Sequence, residues 1–133
     1  MNTDQKPQTA TAVTQEHIDA WKKKYGEVFV VEVAKDPITP ENMFDSLGFD
    51  SDADVDITGE TLIGYLRKPN KQISSMAYSF LASDGYVTAA KNMLKACWLG
   101  GDNEILMNEA KLHFAATQIS GWIQVYQAKV KKL

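Results

Sequence analysis

Apolar residues first recur with helical spacing at Ile18, Trp21 and Tyr25, one face of a short helix. Thr14 stands where an N-cap belongs and Gly26 where such a helix stops, so a helix is expected over Gln15 to Tyr25. Lys22, Lys23 and Lys24 sit in its last turn, where positive charge complements the carbonyl end. The pattern then changes. Val28, Phe29, Val30, Val31 and Val33 are β-branched or aromatic, and they predict a strand from Glu27 to Val33. A second strand is expected from Thr61 to Arg67, carried by Leu62, Ile63, Tyr65 and Leu66 and ended by Pro69. The two are expected to pair antiparallel.

Helical spacing returns in the second half. Asn70 caps a helix running to about Ala82, with Ile73, Met76, Ala77, Phe80 and Leu81 as its stripe. Asp84 is read as the cap of another, reaching about Leu99, with Tyr86, Ala90, Met93, Leu94, Cys97 and Trp98 inward. Gly100-Gly101 breaks it. Asn108 opens the longest expected helix, to about Lys132, whose apolar face holds Leu112, Ala115, Ala116, Ile119, Trp122, Ile123, Tyr126 and Val130. No internal repeat is visible. The expected fold is α+β: a small antiparallel two-stranded sheet packed with a three-helix bundle, plus a short N-terminal helix and an acidic insert. Residues 14–133 are read as one domain, with residues 35–60 as the insert between the strands.

Composition narrows the class. The 133 residues suit one domain, and 44% hydrophobic content is that of a globular chain. A net charge of −3 argues against broad nucleic-acid binding, which needs a basic face. No apolar run approaches the roughly 18 residues of a membrane span, and the polar start lacks a signal-peptide core. A soluble, cytoplasm-made product is therefore expected. Residues 1–13 are polar and without period, so they are expected to form a flexible arm, either a disordered tail or a segment that orders on a partner surface.

Candidate chemistry is thin. Asp50-Ser51-Asp52-Ala53-Asp54-Val55-Asp56-Ile57 has alternate carboxylates like the opening of an EF-hand calcium loop. That loop also needs glycine at its sixth place and glutamate at its twelfth. Val55 and Thr61 stand there, so the run is read as a solvated acidic loop. Gly100-Gly101-Asp102-Asn103-Glu104 is similar to the signature of diguanylate-type nucleotide cyclases, but here it falls between two expected helices and is read as a polar turn. Cys97 is the single cysteine, on an apolar helical face, and an inert buried thiol is expected. His17 and His113 are too few and too far apart for a zinc site. Phosphate-binding glycine motifs are missing. Arg67-Lys68-Pro69-Asn70-Lys71 is the one basic cluster beside a structured element, and could meet either an acidic partner or the insert. The reading is of a non-enzyme without catalytic, cofactor or metal residues.

The order and punctuation of residues 15–133 carry one resemblance. A hydrophobic strand pair leads into Tyr65-Leu66-Arg67-Lys68-Pro69, then an amphipathic helix, then Asn92-Met93-Leu94-Lys95-Ala96-Cys97-Trp98-Leu99-Gly100-Gly101-Asp102. This resembles small morphogenesis proteins of tailed bacteriophages, in particular the tail assembly chaperones of phages of gut Bacteroidetes. The insert is longer than that family's hairpin, and the arm suits an accessory virion protein. The resemblance implies a non-enzymatic structural or assembly protein in the host cytoplasm or the virion. It would bind other phage structural proteins or itself, as part of an oligomer, with no nucleic acid, membrane or cofactor. The alternative is a small acidic regulatory or metal-sensing adaptor using the insert.

Overall fold

A computed structural model describes residues 6–37 and 59–133. The Asp50–Ile57 run and most of the acidic insert lie outside these residues.

Local signals place the first elements. Helix α1 spans Gln15–Tyr25. The Thr14 hydroxyl accepts from the His17 amide at 3.3 Å, and His17 Nδ1 accepts from the Thr14 amide at 3.0 Å, so two otherwise unpaired donors are satisfied reciprocally. Strand β1, Val28–Ala34, and strand β2, Thr61–Arg67, pair antiparallel in the register Val31↔Gly64. Period-2 alternation sends Phe29, Val31, Val33, Leu62 and Leu66 to the core face. On the opposite face α1 lays Trp21 against Tyr65, with ring centroids 5.8 Å apart. There Tyr25 takes the Arg67 guanidinium over its ring at 4.2 Å. Of the basic cluster Arg67 is thus packed on a ring, and a cation–π contact of this kind contributes about 0.5–1 kcal/mol.

Helix α2, Lys71–Asp84, starts with the Asn70 side chain accepting from the Ile73 amide at 2.8 Å. Helix α3, Tyr86–Cys97, follows after Gly85, so glycine rather than Asp84 occupies its N-cap. Asn108 caps α5, Glu109–Gln118, by accepting from the Lys111 amide at 3.1 Å, after the single-turn helix α4, Glu104–Met107. The core lies between the sheet and α2, α3 and α5. Leu66, Met93, Leu94, Cys97 and Ile105 are its largest fully enclosed side chains.

Two expectations of the fold are corrected. The sheet has three strands in the order β1-β2-β3, because Trp98–Gly101 leaves helix α3 to form β3 along β2. Tyr65 pairs with Gly100 but Leu66 pairs with Trp98, so Leu99 is an extra residue, a bulge that tightens the local twist. The bulge keeps Trp98 on the core side, 3% exposed, with its ring over Gly64. A side chain at Gly64 would occupy the ring's own space.

The last helix is also far shorter than its apolar stripe suggested. After Gln118 the chain makes a 3-10 turn, Ser120–Trp122, and then runs without regular structure to Leu133. Tertiary bonds hold the chain in this path. Tyr86 donates its hydroxyl to the Ser120 and Ile123 carbonyls, and Tyr78 donates to the Gln124 carbonyl at 3.1 Å. Those acceptors are the ones a continuing helix would pair with amides four residues on. Ser120 and Gly121 lower the local cost of stopping. Ile119 and Ile123 are still buried and Trp122 packs on Phe29 with centroids 5.1 Å apart. Tyr126 and Val130, expected in the core, are 75% and 98% exposed.

Candidate protein-binding groove

The two edges of the sheet differ. The Lys35 amide donates to the Glu60 carbonyl at 2.9 Å, which makes that pair and every second pair along β1 and β2 hydrogen-bonded. Ile63 therefore directs its backbone the other way, toward β3, where its carbonyl accepts from the Asp102 amide at 2.8 Å. Beyond β3 the sheet does not end in solvent. It is met by residues 6–10 of the N-terminal segment, which lie along Trp98–Asn103.

Each contact there uses backbone. The Gly101 amide donates to the Pro7 carbonyl at 3.1 Å, and the Asn103 amide to the Gln8 carbonyl at 3.0 Å. Lys6 Nζ donates to the Trp98 carbonyl at 2.7 Å. Asp102 joins the layers: one carboxylate oxygen accepts from the Ala10 amide at 2.8 Å, the other from the Ile63 amide at 2.9 Å. A carboxylate bridging two backbone donors forms charge-assisted bonds, about twice as strong as neutral ones. Gly100 supplies the room. A Cβ built on it would stand 2.9 Å from Pro7 Cδ, closer than real carbon contacts allow. Proline, which lacks an amide donor, suits a position where only its carbonyl is used. Together these features form a groove for a short extended peptide, read through its backbone and closed by one anion.

The segment occupying the groove belongs to the arm that the sequence marked as unable to fold by itself. Its described part makes no apolar stripe, and its 3-10 turn, Ala10–Ala12, buries no residue. Backbone bonds hold it, and these leave no trace in a hydrophobic pattern. The Gly100–Glu104 run, read as a polar turn, is strand edge and carboxylate bridge. A glycine pair followed by aspartate was the available signal.

The other candidates stay apart. Cys97 is fully buried, and burial pushes its thiol up to about 11, which keeps it protonated and unreactive near neutrality. His17 stacks on Trp21 at 5.8 Å, and His113 meets Phe114 edge-on at 5.4 Å, in separate regions. Among the described residues no group of three or more His, Cys, Asp or Glu is placed to hold a metal ion. A shallow hollow of about 190 Å³ is lined by Phe29, Lys68, Pro69 and Trp122 and carries no pair of groups suited to acid–base work. Among the described residues no helix is long and apolar enough to cross a membrane. Comparison with known proteins finds no matching family model, no matching curated protein and no matching solved structure.

Proposed function

We propose that this chain is a non-enzymatic structural or assembly protein of a tailed bacteriophage, acting through protein–protein contacts. The sequence resemblance supplies the setting. The groove on β3 is the observation that carries the mode of action, because its bonds run from Gly101, Asn103 and Asp102 to the backbone of an extended segment. Strand-edge recognition of this kind takes affinity from main-chain bonds and is a recurring way for proteins to bind one another.

Within this reading the protein is either a tail assembly chaperone, present only while particles are built, or a resident accessory component of the virion. The test is a mass-spectrometric census of purified particles beside the lysate that made them. Many copies per particle mark a resident component. Presence in the lysate and absence from particles, with particle yield falling when the protein is removed, marks a chaperone. Normal yield of complete particles without the protein would refute both.

A further inference from the structure

We propose that the β3 groove exchanges its occupant: residues 6–10 of one copy dock on Trp98–Asn103 of a second copy, joining chains through the same bonds that now close within one. This goes beyond the assembly reading and does not depend on it, since it concerns what the purified chain does with itself.

Three observations carry it. First, the bonds at Pro7, Gln8, Ala10 and Lys6 are indifferent to which chain supplies the segment, so exchange keeps all of them. Second, the connection to the body is held by few contacts. Two backbone bonds, Ala12 amide to Thr9 carbonyl at 3.2 Å and Val13 amide to Ala10 carbonyl at 3.1 Å, close the 3-10 turn, which buries no side chain. Opening it lets the four steps from Ala10 to Thr14 extend to roughly 14 Å, a tether on which residues 6–10 can swing away from the parent sheet. Third, the groove is specific. Gly100 leaves room for Pro7, and the Asp102 carboxylate is already oriented by the Ile63 amide, so the receiving side needs no rearrangement. Exchange of an identical element between copies is a low-cost route to association. Docking within one chain wins when the protein is dilute, and docking between chains gains as local concentration approaches the effective concentration of the tether.

The test uses full-length chains carrying single cysteines at the contact. Pro7→Cys and Gly100→Cys chains are mixed under mild oxidation across a concentration series, and the products are separated without reductant. The buried Cys97 serves as an internal control, because the unsubstituted chain should not cross-link. Arm exchange predicts a covalent dimer in the mixture about tenfold above either variant alone, rising with concentration as mass action requires. The chain carrying both substitutions should give a closed monomer when dilute and covalent multimers when concentrated. Because Gly100→Cys crowds Pro7 and could impair folding, Gln8→Cys mixed with Asn103→Cys reads the same docking one step along. A mixture that cross-links no more than its components, while the doubly substituted chain closes only on itself, would show the arm bound within its own chain and overturn the proposal. Failure of both pairs to cross-link in any form would mean that the groove does not hold the arm, and overturns it equally. Neither result bears on the particle census, so the two readings can fail separately.

Discussion

Replacing Asp102 by alanine removes the one side chain that, among the described residues, ties the N-terminal segment, β3 and β2 together. Its carboxylate accepts from the Ala10 and Ile63 amides at 2.8 and 2.9 Å, both in partly buried surroundings. A hydrogen bond to a charged group contributes about 1.5–3 kcal/mol net. Water can reach the site in part, so the lower end of that range applies to each bond and the expected loss for the two is about 3 kcal/mol. Asp102→Asn separates charge and geometry. Its carbonyl oxygen still accepts one amide while its NH2 group faces the other donor, so about half the loss should remain. Urea unfolding is the suitable assay, because a fall in midpoint at constant slope reports stability without a change in the surface exposed. Hydrogen exchange adds the local reading: the Ala10 amide should lose its protection in Asp102→Ala. An Asp102→Ala chain within about 0.5 kcal/mol of the parent, the usual range for a neutral surface change, would refute the bridging role.

Two further outcomes follow from the packing. Trp122 is half-buried against Phe29, so Trp122→Ala should cost about 2–3 kcal/mol, below the 3–5 typical of a fully enclosed aromatic, and an unchanged urea midpoint would place the ring outside the core. Burial raises the Cys97 thiol from 9.0 to about 11 in the folded chain, so its contribution is intact below pH 9 and lost as pH rises toward 11. At most two units are involved, worth about 3 kcal/mol. Cys97→Ala should flatten that part of the pH–stability curve, and parallel curves for the two chains would contradict the assignment.

The sequence determined by itself what depends on neighbours in the chain. Thr14, Asn70 and Asn108 each cap a helix with a side chain that bonds an amide three residues on, so their signal is local and legible. The α+β class and the span Thr61–Arg67 were legible for the same reason, since Leu62, Ile63, Tyr65 and Leu66 form a short apolar run and Pro69 ends it. Cys97 was read correctly as a buried thiol from its place on the helical stripe.

Tertiary structure decided where equal local patterns part. Trp98 and Leu99 continue the stripe of α3 and would suit another helical turn, but β2 offers Tyr65 and Leu66 an unpaired edge, and pairing with it outweighs one turn of helix. The apolar spacing after Gln118 persists to Val130, yet the helix ends at Gln118 in a 3-10 turn, and hydroxyls of Tyr78 and Tyr86, remote in sequence, bond the carbonyls beyond it and hold the chain in that path. The groove was the least legible part. Main-chain bonds from Gly101 and Asn103 to Pro7 and Gln8 depend on where the backbone passes, and side-chain hydrophobicity carries no record of that path.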